Sequence, residues 1–197
     1  MSETRSYPRH AKTDAGDIEF RLMSRTDEAA VLAFARKLPT HDLLFLPRNI
    51  SQPKVMSAWV NEIERGAITS LLAIKGGAVV GCGTLVHDPH SWSPHVGEIR
   101  MVVSEDVRGQ GVGRTLSQET FALALSAGLE KLSVQMTVDQ QAAVALFESL
   151  GFKAEALLRD HVQDVDGKKH DIVVLGHNVA QVRAQMEAYG LPGAVQY

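Results

Sequence analysis

Residues Val103–Arg114 read VSEDVRGQGVGR and place three glycines, at positions 109, 111 and 113, between an apolar strand pattern and an amphipathic helix pattern. Glycine allows left-handed dihedral angles and close backbone approach. The first amides of a helix have no internal acceptor, and the helix dipole adds positive potential there. This stretch therefore predicts a site for an anion such as a phosphate. A helix entry that merely needs flexible residues is the structural alternative, because the spacing matches neither the dinucleotide-binding nor the Walker motif.

Apolar periodicity on both sides of this stretch predicts short strands and helices. Strands are predicted at 18–23, 68–75, 78–87, 96–103, 131–138, 152–163 and 168–177, and helices near 26–38, 56–66, 111–128, 143–150 and 179–189. Gly76-Gly77 and the turn 164–167 are hairpin signals. A mixed order with two hairpins excludes a purely parallel doubly wound sheet. We therefore expect one α+β domain, a mixed and mostly antiparallel sheet of about seven strands flanked by helices.

The domain is expected to span residues 17–177. Residues 1–16 are polar and lack apolar periodicity, so they are predicted to form a mobile arm. Residues 178–197 are predicted to form a C-terminal helix and tail. The sequence contains neither an internal repeat nor a composition typical of an interdomain linker.

Composition excludes several classes of protein. Of 197 residues, 45% are hydrophobic and 22% charged, as in globular chains that bury a sizeable core. The formal net charge of −3 argues against a dedicated nucleic-acid binder. No apolar run approaches the roughly 20 residues that span a bilayer, and the N-terminus lacks a signal-peptide pattern. The lone Cys82 excludes an internal disulfide and fits a reducing compartment. We expect a cytoplasmic protein without nucleic-acid or membrane partners, and leave a homodimer open.

Two motifs resemble signatures of the GNAT superfamily of acyl-CoA-dependent N-acetyltransferases. RGQGVG at 108–113 is similar to the family's [RQ]-x-x-G-x-[GA]. AxxLFxxxGF at 143–152 is similar to the end of its N-x-x-A-x-x-L-Y-x-x-x-G-F, at the expected distance downstream. The predicted order of elements over residues 17–177 also resembles the family fold. This resemblance implies an enzyme that uses acetyl-CoA as its acyl donor.

The resemblance also implies where acetyl-CoA binds. Its pyrophosphate is expected on the backbone amides of Gly109, Gln110, Gly111, Val112, Gly113 and Arg114. Its pantetheine arm is expected along Met101, Val102 and Val103, where that strand splays from the next, with an amide near Val103 polarising the thioester carbonyl. Gln140 and Phe147 occupy cofactor-facing positions of the second signature. The side chains of Arg108 and Arg114 either add charge near the phosphates or are simply solvated.

The sequence departs from the family pattern at three positions. Gln140 stands where the signature has asparagine, and Phe147 where it has a tyrosine that is the proposed acid in many members. A phenylalanine cannot protonate a leaving thiolate. Gln135 occupies a position where some members have a glutamate base. The usual acid and one base position are therefore missing.

Glu98 is the candidate general base. An ammonium group with a pKa of about 10.4 needs roughly 4–5 kcal/mol to lose its proton at pH 7, so a base is useful. Glu98 is the only carboxylate inside the predicted strand 96–103, where many relatives place a catalytic glutamate. By strand alternation it shares a face with Arg100 and Val102. A structural ion pair with Arg100 is the alternative.

Other candidate groups have weaker signals. His87, His90 and His95 crowd one loop and could supply a base, and this loop either shapes the acceptor entrance or is surface. They lack an evident further ligand, so no metal is expected. Cys82 and Trp59 are expected in the core.

The sequence thus predicts an N-acetyltransferase in which a primary amine attacks acetyl-CoA directly in a ternary complex. The acceptor is a protein lysine or a small-molecule amine, and the acidic residues Asp88 and Glu98 suit a cation. A non-catalytic acyl-CoA-binding regulatory or interaction module is the alternative, because Phe147 and Gln140 replace the family's usual residues.

Overall fold

The computed structural model describes residues 5–181, which form one eight-stranded mixed sheet with helices on both faces. The strands are β1 (Arg9–Thr13), β2 (Gly16–Leu22), β3 (Ile68–Lys75), β4 (Ala78–Val86), β5 (Val96–Val103), β6 (Lys131–Thr137), β7 (Lys153–Gln163) and β8 (Lys169–Asn178). The helices are α1 (Glu28–Ala35), α2 (Pro53–Glu64), α3 (Val112–Ser126) and α4 (Gln141–Ser149). Strand order is β1-β2-β3-β4-β5-β6-β8-β7, and every pair except β5–β6 is antiparallel. The predicted α+β class is confirmed. Among these residues, no helix has the length and apolar character needed to cross a membrane.

The N-terminal arm is the main correction to the predicted fold. Residues 1–16 were expected to be mobile, but Arg9–Thr13 pairs with β2 as an eighth strand at the edge of the sheet. Just before it, the Tyr7 hydroxyl donates to the Glu119 carboxylate on α3 at 3.0 Å, and Arg5 pairs with the same carboxylate at 2.8 Å. Backbone pairing and this buried glutamate hold the segment, so it needs no apolar alternation.

The predicted C-terminal helix lies mostly beyond the described residues. Strand β8 ends at Asn178, and residues 179–181 are helical. The remainder of the predicted helix and tail falls outside residues 5–181.

Apolar side chains fill a core on each face of the sheet. On one face, α1 and α2 bury Phe34 and Met56 against a cluster that includes Val102 of β5. On the other face, α3 and α4 bury Phe121 and Phe147 against a cluster that includes Ile99 of the same strand. Strand β5 therefore contributes alternate side chains to two separate layers.

The parallel pair β5–β6 opens within the sheet. Pairing runs from Val96 with Lys131 to Ile99 with Val134 and then stops. Beyond this point β5 stays with β4, whereas β6 stays with β8. Residues 100–103 of β5 consequently have no β6 partner, and a V-shaped gap forms in the middle of the sheet.

Candidate active site

The glycine-rich loop links β5 to α3 at the wide end of this gap. One 3-10 turn, Glu105–Val107, leads from the strand to the glycines. Gly109 and Gly111 have φ angles of 70° and 84°, which other residues rarely adopt. Helix α3 begins at Val112, so its first amides open at this end of the gap. The backbone there has the polarity expected of an anion site.

A cavity of about 990 Å³ occupies the gap, and we call it the splay cleft. It contains all of the cofactor residues predicted from the sequence except two. Those that line it are Met101, Val102, Val103, Arg108, Gly109, Gly111, Gly113, Arg114, Gln140 and Phe147. The two exceptions are Gln110 and Val112. The side-chain amide of Gln110 donates to the Asp106 carbonyl at 2.8 Å, and Val112 is fully buried in the core.

The two predicted arginines are both held by neighbours. Arg108 donates to the Val103 carbonyl at 3.0 and 3.2 Å and to the Asp42 carboxylate. Arg114 donates to the Ser149 hydroxyl at 3.3 Å. Both line the splay cleft, so their charges lie beside the glycine loop.

The cleft wall formed by α4 and β6 lacks the family's usual proton donor. Phe147 is 4% exposed and its ring packs edge-to-face on Phe152, with 5.2 Å between ring centroids. Gln135 lines the same cleft from β6. Neither side chain can give or take a proton near neutral pH.

A short segment that the sequence analysis did not single out also lines the splay cleft. Residues 40–43, which we call the strap, form a 3-10 turn whose His41 and Asp42 line the cleft. His41 Nε2 lies 3.0 Å from Asp139 Oδ2, and Asp42 binds Arg108 on the other side. Hydrogen bonds from the Thr137 hydroxyl and from His41 lower the pKa of Asp139. The strap thus connects the glycine loop to the end of β6 through contacts between residues distant in sequence.

One group of side chains has donor atoms close enough for a metal ion. Ligand atoms of His41, Asp139 and His170 lie within 4.8 Å of one another, the only such group in residues 5–181. His170 Nε2 is already 2.7 Å from Asp164 Oδ2, and His41 is bonded to Asp139. The histidines of this group are thus engaged by carboxylates, and they are not the histidines singled out from the sequence.

Glu98 lies on β5 in a bidentate ion pair. Arg100 Nε and Nη2 each donate to one of its carboxylate oxygens at 2.8 Å. The Glu98 and Arg100 side chains are 24% and 21% exposed. The structural alternative named for Glu98 is therefore realised, and a role as general base remains a prediction.

A second cavity of about 360 Å³ lies between α2 and the sheet, and we call it the α2 cavity. Met101 and Val102 line both this cavity and the splay cleft. Trp59 lines it and donates from its indole Nε1 to Ser70 at 3.2 Å, so this residue is not simply core as predicted. Cys82 also lines it and is 1% exposed, as expected of a core residue, and burial raises the pKa of its thiol to about 12. Such a thiol is not a nucleophile at neutral pH.

The histidine-rich loop lies away from both cavities. Neither lining set includes His87, His90, His95 or Asp88. Trp92 at its centre is fully exposed. The exposure of Trp92 agrees with the surface interpretation, and a role of this loop at the acceptor entrance remains a prediction.

Comparison with known proteins agrees with this geometry. The acetyltransferase (GNAT) family matches residues 36–152. IAA acetyltransferase of Azospirillum brasilense is 36% identical over 86 residues, which is 43% of this chain and 54% of that protein. The ribosomal protein bS18-alanine N-acetyltransferase of Escherichia coli K12 is 30% identical over 74 residues, 38% of this chain and 50% of that protein. The chain spans about half the length of these curated relatives.

Solved structures have the same fold. A GNAT-family acetyltransferase from Streptococcus pneumoniae superposes with a TM-score of 0.71 at 22% identity, over 82% of this chain and 99% of that one. The yncA protein of Salmonella typhimurium, solved with its cofactor acetyl-CoA, superposes with a TM-score of 0.70 at 18% identity, over 82% of this chain and 94% of that one. The resemblance drawn from two short motifs is confirmed, and because the family match covers more than half of its length, the chain belongs to the acetyltransferase (GNAT) family.

Proposed function

We propose that the protein transfers an acetyl group from acetyl-CoA to a primary amine by direct attack in a ternary complex. One observation carries this proposal: a cleft with a glycine-rich end and an unpaired strand edge meets a second cavity at Met101 and Val102. Two substrates can therefore approach the same point of β5 from different sides. Direct transfer requires this arrangement, because the reacting atoms must come within about 3–3.5 Å of each other.

The splay cleft fits the chemistry of acetyl-CoA. A pyrophosphate needs converging amides and positive charge, which the loop 109–114 and the start of α3 supply. A pantetheine amide needs backbone donors and acceptors, and residues 100–102 of β5 have no β6 partner, whereas the Val103 carbonyl is bonded to Arg108. When bound there, acetyl-CoA supplies the thioester that makes the acetyl carbonyl electrophilic.

The bonds formed and broken in this transfer balance, and no further reagent is needed. The amine nitrogen forms a bond to the acetyl carbonyl carbon, and the carbon–sulfur bond breaks. The nitrogen loses one proton to a base and the sulfur leaves as a thiolate, which takes a proton from water. Products are an N-acetyl amide and free CoA. In this proposal a backbone amide near Val103 polarises the carbonyl oxygen during this step.

Glu98 is the base in this proposal. Its two oxygens each accept one bond from Arg100, and a carboxylate has about four lone-pair sites, so capacity remains for a bridging water. Arg100 lines the α2 cavity, and Glu98, which lines neither cavity, acts on the acceptor through that water in this proposal. Phe147 cannot protonate the thiolate, so water supplies that proton in this proposal.

The alternative is an acyl-CoA-binding module without catalysis. Two observations favour it: Phe147 replaces the usual acid, and Glu98 is held by Arg100. The names of the relatives do not choose between acceptors, since one acts on a ribosomal protein alanine and another is an IAA acetyltransferase.

Two measurements separate these functions. Calorimetry with acetyl-CoA tests the cofactor site, and release of CoA thiol is followed over a panel of small amines and lysine peptides. Binding with turnover on any amine supports the transferase. Binding with no turnover on the whole panel supports the module. Absence of binding by correctly folded protein rejects both.

A further inference from the structure

The α2 cavity has an apolar lining that limits what it can bind. Most of its surface comes from aliphatic and aromatic side chains, with few charged ones. The apolar lining residues are Leu46, Pro47, Ile50, Val55, Ala58, Trp59, Ile68, Cys82, Met101 and Val102. Transfer of an apolar acceptor body from water into such a cavity is favourable, because apolar surface is removed from water. A polycationic acceptor would be desolvated there without the several carboxylates needed to compensate for it.

The charged side chains that line the α2 cavity differ in whether they have an ion-pair partner. Glu62, its one carboxylate, lies 3.2 Å from Arg65. Arg100 is neutralised by the bidentate contact with Glu98. Arg48, in contrast, is exposed and forms neither an ion pair nor a hydrogen bond within residues 5–181. The only uncommitted charge on the cavity wall is therefore positive.

We infer that the acceptor is a small primary amine with an apolar body and a single anionic group at its opposite end, the chemistry of an apolar ω-amino acid. This inference rests on the proposed function, because it names the acceptor of the same reaction. A guanidinium matches a carboxylate with two parallel donors, so Arg48 is the residue that recognises the anionic group.

The same geometry orients the acceptor. Its amine lies at the inner end, where Met101 and Val102 join the two cavities. Its apolar body packs on Trp59 and Ile50, and its anionic group lies at the solvent side with Arg48. The expectation that acidic residues suit a cationic acceptor loses its support, because Asp88 lines neither cavity and Glu98 is paired.

Matched acceptor pairs test the class of substrate. Apolar ω-amino acids of several chain lengths are each compared with the corresponding amide and with the amine lacking the carboxyl group. Spermidine and a lysine peptide represent the cationic and protein alternatives. We expect the acid of at least one pair to be acetylated with a kcat/KM at least tenfold above its amide. Equal rates for acid and amide in every pair, or preference for spermidine or the peptide, overturns the inference.

Substitution at Arg48 tests the anchor. Arg48→Met is expected to raise KM for the acid at least tenfold, and to leave KM for its amide and for acetyl-CoA unchanged. Lys54→Met is the matched control, because Lys54 is an exposed cation beside Val55 on α2 that lines neither cavity. An equal rise in both variants, or none in Arg48→Met, contradicts the role of Arg48.

Failure of the inference differs from failure of the proposed function. If acetyl-CoA binds and some other amine is acetylated, the transferase stands and only the acceptor class is wrong. If acetyl-CoA binds and no acceptor is acetylated, the transferase itself is rejected. Calorimetry with acetyl-CoA on the same protein preparation decides between these outcomes.

Discussion

Gly111 and Gly113 lie two residues apart at the start of α3, but an added side chain has a different effect at each. Gly111 has a φ of 84°, so any side chain there strains the backbone. Gly113 has an ordinary helical backbone, and a Cβ would lie 3.8 Å from Leu146 and from Val103, which is normal contact. Since those two residues line the splay cleft, a larger side chain at Gly113 would extend into the cofactor's space.

Gly113→Val is therefore expected to leave the fold intact and weaken acetyl-CoA binding at least tenfold, about 1.4 kcal/mol. Calorimetry measures affinity, and circular dichroism and thermal unfolding monitor the fold. Unchanged affinity in a folded variant would remove the glycine loop from the cofactor site.

Gly111→Ala and Gly128→Ala form a matched pair for the strained position. Gly128 has a φ of 74° and lies outside both cavities. Both variants should lose about 1–2 kcal/mol of stability, because each forces a side chain into the left-handed region. Only Gly111→Ala should also weaken acetyl-CoA binding.

Phe147→Tyr restores the family's usual hydroxyl and tests whether an acid is needed. A CoA thiol comparable to cysteine has a pKa of about 8.5, so the thiolate is a tolerable leaving group near pH 8. We expect kcat at pH 8 to rise less than about tenfold, or 1.4 kcal/mol. A larger rise would mean that protonation of the thiolate limits the wild-type enzyme.

Glu98→Gln tests the base. Loss of general-base assistance costs about 10²–10⁴-fold, so kcat/KM at pH 7 should fall by that factor. The loss should shrink as the pH approaches the pKa of the amine, where less deprotonation is required. A merely structural Glu98 predicts a pH-independent loss, and a wild-type rate at pH 7 would exclude Glu98 from the mechanism.

At the scale of elements, the strands and helices predicted from apolar periodicity agree closely with the structure. Strands β3 and β5 have the predicted bounds, and the hairpin at Gly76-Gly77 is present. Strand β1 and the strap were missed for one shared reason. Each is held by backbone pairing or by ion pairs between distant residues, as in Asp42–Arg108, and neither interaction leaves a periodic pattern in the sequence.

The segment between β2 and α1 makes a contribution to stability that depends on pH. Asp27, almost buried before α1, accepts two bonds from Arg21, at 2.6 and 2.9 Å, and two from Ser24. Arg21 foremost, together with Ser24, lowers its pKa from 3.8 to about 2. A lowered pKa in the folded state stabilises the fold above the unfolded value, and this stabilisation disappears as the pH falls through about 2.

Asp27→Asn should therefore cost about 2 kcal/mol of unfolding free energy at pH 7. The difference from wild type should shrink as the pH falls from 4 towards 2, as measured by urea unfolding at each pH. Asp166→Asn is the control, because Asp166 is exposed and its side chain accepts no hydrogen bond among residues 5–181. A pH-independent difference would contradict the assignment to the Asp27 carboxylate.

At the scale of the whole molecule, the residues of the splay cleft, where acetyl-CoA is proposed to bind, could be predicted from the sequence. The α2 cavity, where the acceptor is proposed to bind, could not. The glycine loop and the α4 residues belong to two local motifs, and the resemblance of these motifs to the family signatures assigned both to the cofactor site. The α2 cavity collects residues from several elements between Leu46 and Val102. An apolar pattern predicts that Trp59 and Cys82 lie inside, but it does not distinguish a packed core from the wall of a cavity.

The position of Met101 and Val102 on the lining of both cavities also has a consequence for the kinetic mechanism. Because the splay cleft and the α2 cavity share only Met101 and Val102 among their lining residues, the proposed function allows both substrates to be bound at the same time. Initial-rate plots should therefore intersect, as in a sequential mechanism. Desulfo-CoA, which cannot accept an acetyl group, should compete with acetyl-CoA and act noncompetitively towards the acceptor. Parallel initial-rate lines would indicate a ping-pong mechanism, in which the acetyl group is first bound covalently to the protein and then transferred to the acceptor.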